Sequence, residues 1–481
     1  MERKEILKHL PSLLIGTIAL LLCAVVSPIN HYACALMLVL CAVFLYFYTA
    51  ILPAKRNWWD IRAMFSAVWL ATIGLACLRL TEYQRPWETA TWLILGASYA
   101  LFYFGATLGI HLGQKAYARR KTKGGIQIKN ITFRLQGNRL FWLCFGVTLF
   151  CIACFGANIA IRGYVPYFAR SGDTYVGFYS KFYIFCTAGS MISGLSYYTL
   201  KTQKLATWQK IFLWFSILYS TFLYPMLVVS RGMFLTAALS LTTVVFYLNK
   251  RRFLLLVLSI AVIGAFYMEG TKARGYSEDQ LNAFFEPSVI APETDSTEDP
   301  STDSTETEEE APVTNPGFQL SGSAAFIYSY LTVSHDNFNE AVRTVDTYTY
   351  GLRQLLPFNV IMRIGAIDAT VEEVGHNFVR PHLNTTNLAG EAYYDFGAGG
   401  VIVLMLLWAI AFGMIQGVAL ESSGPFGLMA LGNTMTPVVL CFFESWMSIF
   451  SHWMHWGFVL VLFLMATITK VNKQNDVSAD S

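Results

Sequence analysis

VEEVGHNFVRPHLNTTNLAGEAYYDFGAGGVIVLMLLWAIAFGMIQG, residues Val371 to Gly417, contains the boundary on which the fold reading turns. As far as Asp395 it is dense in imidazole, amide, hydroxyl and carboxylate groups. From Phe396 it becomes an uncharged apolar run as long as the ~20 residues a helix needs to cross a bilayer. Read backwards, the polar region reaches Thr271, and nowhere between Thr271 and Asp395 is there an apolar run of membrane length. Nine such runs precede this segment, at about 12–28, 30–52, 63–80, 91–112, 140–161, 182–200, 211–229, 231–248 and 253–270. Three follow it, at 396–417, 424–443 and 453–469. Hydrophobic residues make up 55 % of the 481 and charged residues 14 %, against roughly 25 % charged in soluble domains. The expected fold is an all-α polytopic membrane protein of about twelve helices with one large extracytoplasmic loop.

This gives an N-terminal membrane bundle (1–270), the loop (271–395), a three-helix C-terminal bundle (396–470) and a tail (471–481). Arg3, Lys4 and Lys8 precede the first apolar run, but no small-residue cleavage site follows it, so it reads as a retained helix. All nine cysteines fall in apolar segments and read as small buried hydrophobes, not as disulfides or thiolate ligands.

Loop charge sets the orientation. Between Gly113 and Arg139 there are eight basic residues and no acid, which places this loop inside. Alternation puts Lys55–Arg62, Lys201–Lys210, Lys250–Arg252, the tail and both termini inside as well. It puts Leu80–Thr89, Arg162–Lys181, Ser230–Gly232, Thr271–Asp395 and Glu444–His452 outside. Arginines on the outer side oppose the charge rule. Arg162, Arg170, Arg231, Arg363 and Arg380 offer planar forks to an anionic headgroup or phosphate, although each alone reads equally as a snorkelling or acid-paired side chain. Arg231 sits on a turn of four residues, Val229 to Gly232, which would hold a cation rigidly.

Within the loop, residues 291–316 carry nine acids and no base, a composition that cannot bury enough apolar area to order itself. Order is expected to resume near Gln319, with short helices lying across the outer membrane surface. His376 is the leading proton acceptor, with Glu372, Glu373, Asp395 or Asn377 to orient it; His382 is second and His335 third. The spacing of the three histidines matches no compact ligand motif, so no metal is expected. Asp395 either caps the helix that re-enters the membrane or, beside Tyr394, binds sugar hydroxyls; the glycines after it would allow close helix packing.

The Ser230-Arg231-Gly232 step, the GYVPYFAR loop (163–170) and GEAYYDFGAGG (390–400) resemble the bacterial oligosaccharide repeat-unit polymerases of the O-antigen type. His376-Asn377 resembles the HN element of the related O-antigen ligases. The resemblance implies a GT-C-like architecture in the bacterial cytoplasmic (inner) membrane. It implies metal-independent and cofactor-free transfer between undecaprenyl-pyrophosphate-linked oligosaccharides at the outer face. Arg231 would face the pyrophosphate and His376 would act as base, while Arg162, Arg170, Arg363, Arg380, Asn377, His382, Tyr394 and Asp395 would contact substrate. Membrane lipids, a chain-length regulator and a flippase are the partners implied, and no nucleic acid. One departure stands out: the Arg-x10-Gly spacing of some polymerases is missing, since Asp173, Lys181 and Val374 occupy that offset after Arg162, Arg170 and Arg363. A glycan ligase and a lipid-linked sugar transporter are the alternatives. The scarcity of ionisable residues inside the spans argues against ion-coupled transport.

Overall fold

The computed structural model describes residues 3–52, 56–122, 131–133, 137–169, 184–200, 205–228, 230–248, 320, 322–380, 383–422 and 424–470. The ninth apolar run (253–270), the acidic tract (291–316), the tail from 471, Arg170 and His382 lie outside the described residues.

Helices α1 (Arg3–Val26), α2 (His31–Ile51), α3 (Ile61–Ala76) and α4 (Thr89–Thr122) lead to a short strand, β1 (Ile131–Phe133). Next come α5 (Gly137–Arg162), α6 (Pro166–Ala169), α7 (Ile184–Leu200) and α8 (Thr207–Leu218). A π-turn at Tyr219–Leu223 carries α8 into α9 (Tyr224–Leu227), which is followed by α10 (Arg231–Leu248). The remainder is α11 (Gly322–Thr344), α12 (Leu352–Met362), α13 (Gly365–Val374), α14 (Gly390–Ser422), α15 (Pro425–Val439), α16 (Phe450–Thr467) and a second strand, β2 (Ile468–Lys470).

The chain is a polytopic membrane protein, but the expected count of twelve needs correcting. Eleven of the twelve apolar runs coincide with described helices, yet among the described residues only seven helical segments are long and apolar enough to cross a bilayer. These are Leu7–Val26, His31–Ile51, Thr89–Arg119, Gly137–Arg162, Thr207–Leu227, Gly390–Ser422 and Phe450–Thr467. Helices α3, α7 and α15 have 16, 17 and 15 residues, and α10 falls just short over its apolar part, Gly232–Leu248. At 1.5 Å per residue they reach roughly 23–26 Å, short of a ~30 Å hydrocarbon core. The runs read as longer because apolar loop residues on either side were counted with them.

The centre of the bundle is the seam between α4 and α14, which run parallel. Gly105, Gly109 and Gly113 on α4 meet Leu406, Ile410 and Met414 on α14, and Gly413 and Gly417 meet Ala106 and Ile110 in return. A side chain on Gly109 would overlap the Ile410 carbonyl, so the two backbones touch only because glycine stands on both surfaces. The glycines expected to serve this purpose, Gly397, Gly399 and Gly400, do not: a side chain at Gly400 would first meet Phe396 and Ala392 of its own helix. Gly397 breaks α14 at φ 63°, ψ −153°, and nothing lies within 4 Å of a side chain built at Gly399.

The loops sort to two ends as their charges suggested. At one end β1 pairs antiparallel with β2, Ile131 opposite Lys470 and Phe133 opposite Ile468, a small exception to the all-α expectation. The same end has Asn57 and Trp59 bonded to Tyr247, and Gln416 donating to Asp60 at 3.2 Å. At the other end, Leu320 N–H donates to the Leu80 carbonyl, Glu88 N–H to Asn339, and Leu388 N–H to the Cys441 carbonyl. Segments read as lying on one side therefore touch one another, for each side.

Of the short helices expected between residues 319 and 367, α12 is short, with 11 residues, but the first helix is not. Helix α11 has 23 residues and packs against α3, α4 and α14. The face it buries carries polar groups, among them Ser334, His335, Asp336, Asn337 and Asn339, and the cost of burying them is offset by hydrogen bonds. Asp336 accepts from Trp87 Nε1 at 2.9 Å and from Gln84 Nε2 at 3.0 Å, while burial pushes its carboxyl up to about 7. His335 contacts Thr72 Oγ1 at 2.9 Å and Asn387 Nδ2 at 3.2 Å, and burial lowers it to about 3. His335 is thus a packed neutral imidazole, not a proton acceptor for a ligand.

Candidate functional site

The quoted polar stretch folds back over the start of α14 and meets α12. Asp395 decides how. Its carboxylate accepts from Arg353 N–H at 3.0 Å, Gln354 N–H at 3.1 Å and Thr349 Oγ1 at 2.6 Å. It caps α12, answering the free amides and the positive end of that helix. Asp395 caps a helix as expected, but its own helix, α14, is not the one; it is fully buried and turned away from solvent.

With its N-terminus pinned in this way, α12 delivers Arg353 to the interior, where its side chain is 1 % exposed. Its Nη1 donates to Glu391 Oε2 at 3.2 Å and lies 2.5 Å from His376 Nε2, and its Nη2 donates to the Gly375 carbonyl. The guanidinium also stands 4.4 Å from the centroid of the Tyr394 ring. His376 Nε2 is 2.9 Å from Glu391 Oε1, and the imidazole stacks on Phe378 with ring centroids 5.0 Å apart. Thr386 Oγ1 donates to the same Glu391 oxygen at 3.2 Å. Nε2 either accepts from Arg353 or donates to Glu391, and Nδ1 is itself 3.3 Å from the guanidinium, so both ring nitrogens face this pair.

The cluster forms one wall of a cavity of about 290 Å³, completed by Asn384, Thr385, Glu444, Ser445, Ser448 and Ile449. A second cavity, of about 200 Å³, opens between the start of α10 and α16. Ser230, Gly232 and Thr236 line it from one side, and Ser451, His452 and His455 from the other. Glu444 and Ile449 line both cavities. Burial, and then the negative charge of Glu391, push the Glu444 carboxyl up to about 7.

Of the expected site residues, the fold brings His376 into the first cavity and places Arg231, the first residue of α10, between two residues that line the second. Tyr394 is 1 % exposed and forms the floor beneath Arg353, with its hydroxyl accepting from Asn377 N–H at 2.9 Å. Asn377 turns its amide to Thr344 Oγ1 at 2.8 Å. The other expected residues lie elsewhere: Arg162 ends α5 with its guanidinium 6.0 Å from the Tyr164 ring centroid, and Arg363 is an exposed left-handed C-cap of α12. Arg380 lines neither cavity. Glu372 and Glu373 are exposed on α13, so the acid that holds His376 is Glu391 instead.

Arg353, Glu391 and Glu444 are the candidate-site residues missed from sequence. Glu391 stood inside the quoted stretch, one residue past Gly390. Arg353 was visible as a lone charge among Leu352, Leu355 and Leu356, a charge such a helix buries only with a partner. Among the described residues no group of three or more His, Cys, Asp or Glu side chains could hold a metal ion.

Compared with family models, curated proteins and solved structures, the chain matches none.

Proposed function

We propose that this protein is a metal-independent glycosyltransferase of the polysaccharide-polymerase kind. It would join undecaprenyl-pyrophosphate-linked oligosaccharide repeat units at the outer face of a bacterial cytoplasmic membrane, working beside a flippase and a chain-length regulator. The observation that carries this reading is the pair of adjoining cavities at the end of the bundle expected outside, sharing one carboxylate. A single displacement at an anomeric carbon needs a proton acceptor for the attacking hydroxyl and positive charge for the departing pyrophosphate. The first cavity holds two candidates for the former, His376 and Glu444, among hydroxyl and amide groups suited to a sugar. Arg231, on the turn that opens α10 beside the second cavity, answers the latter. The GT-C-like architecture belongs to this proposal and rests on the resemblance alone.

The test is extension of a purified undecaprenyl-pyrophosphate repeat unit by the reconstituted full chain. Wild type lengthens it, Arg231→Ala loses nearly all extension, and Arg231→Lys recovers part, because lysine keeps the charge without the fork. Transfer of a finished glycan to a different acceptor, without lengthening, would make the protein a ligase. Movement of the lipid-linked unit across the bilayer without any transfer would make it a transporter.

A further inference from the structure

We infer that Glu444 is the group that takes the proton from the attacking hydroxyl, and that His376, Glu391 and Arg353 position the acceptor sugar beside it. This rests on the glycosyl-transfer reading above. Every other acid around the site is already engaged: Glu391 by Arg353, His376 and Thr386, and Asp395 by the first amides of α12. Glu444 has no side-chain hydrogen bond or ion pair among the described residues, although it lines two cavities. His376, by contrast, directs both nitrogens at the Arg353–Glu391 pair and presents a ring face stacked on Phe378, which suits it to hold a sugar but not to accept a proton from one.

The two cavities differ in a way that orders the substrates. The first, with Asn384, Thr385, Thr386, Ser445 and Ser448, suits the hydroxyls of an acceptor sugar. The second begins at the first turn of α10, a helix N-terminus of the kind that suits phosphate oxygens, where Ser230 Oγ accepts from Met233 N–H at 3.5 Å. Glu444 stands where the two meet, so a hydroxyl in one and an anomeric carbon in the other would come together at its carboxylate. In the step, the acceptor O–H breaks and its proton passes to a Glu444 oxygen. The hydroxyl oxygen bonds to the anomeric carbon as the bond to phosphate breaks, and the electron pair leaves with undecaprenyl pyrophosphate. Glu444 then returns the proton to solvent.

The titratable groups facing Glu444 are Arg353 on α12, His376 before α14, Glu391 on α14, and His452 and His455 on α16. Burial, and then the charge of Glu391, raise the Glu444 carboxyl to about 7, into the range that suits a general base near neutral pH.

Turnover and substrate binding are measured separately on the reconstituted chain from pH 5.5 to 8.5, pH values about the neutral range where such a base titrates. The wild-type rate is expected to rise and level off above about pH 7. Glu444→Gln should lose roughly 10²–10⁴-fold in turnover and the rising limb with it, while still binding the lipid-linked unit; Glu444→Asp should regain part of the rate. His376→Ala should weaken acceptor binding and keep the pH limb. If Glu444→Gln keeps wild-type turnover, or if His376→Ala abolishes the pH limb, the assignment is overturned while polymerisation stands. If the wild type itself extends nothing, the glycosyl-transfer reading fails, and the assignment with it.

Discussion

Arg353 joins three parts of the chain through one guanidinium: α12, the turn at Gly375–His376, and the start of α14. Removing it strands Glu391 in a partly buried position, and breaking a buried pair from one side costs about 3–5 kcal/mol. Because Glu391 keeps His376 and Thr386, the lower end of that range is expected for Arg353→Ala, read as a lowered thermal unfolding midpoint in detergent. Glu391→Ala should cost less once Arg353 has gone, so the two losses should not add; strict additivity would show that the pair is not coupled in solution. The sequence made His376 visible at this scale because an imidazole in a polar loop announces its chemistry by type. Arg353 and Glu391 were hidden because their roles depend on partners 23 and 38 residues from Arg353, which only the fold brings together. Asp395 shows the same limit from another side: capping was readable from residue type, but the helix it caps was not.

At the scale of elements, the break at Gly397 separates two duties of α14. Residues before it carry Glu391, Tyr394 and Asp395 to the site, and residues after it cross the membrane against α4. With φ 63° and ψ −153°, Gly397 occupies a region open essentially to glycine alone. A Cβ there would also stand 3.0 Å from the Tyr348 hydroxyl. Gly397→Ala should therefore destabilise by roughly 1–3 kcal/mol and disturb the cap on α12. Gly399→Ala, two residues on in open space and on the helical side of the break, should be neutral or stabilise by up to about 1 kcal/mol. Equal effects in thermal unfolding would mean that the break is not fixed by glycine. Apolar runs marked most membrane helices correctly because hydropathy is a local property. Their ends were less legible, since α3, α7 and α15 stop within runs whose composition continues. The polar burial of α11 was illegible for a related reason, because its amides and acid are balanced by groups within residues 84–91 and 379–385, far off in sequence.

For the whole molecule, orientation divides into two questions that one experiment answers separately. The glycine seam makes α4 and α14 parallel, so Thr89 and Gly390 enter from the same face and the C-terminal ends of both helices emerge at the other. Lys115, exposed near the end of α4, and Glu373, exposed on α13 ahead of α14, must then lie on opposite sides whichever side is the cytoplasm. Loop charge decides which is which, since the eight basic residues from Lys115 to Arg139 come without a single acid. In a cysteine-depleted chain, Glu373→Cys should react with a membrane-impermeant maleimide in intact spheroplasts, and Lys115→Cys only after permeabilisation. Exchanged reactivities would invert the protein in the membrane while leaving the bundle intact, and would count against the proposed function by carrying both cavities to the other face. Equal reactivity at both positions in intact cells would be more damaging, because two residues on one side cannot flank parallel helices packed glycine against backbone.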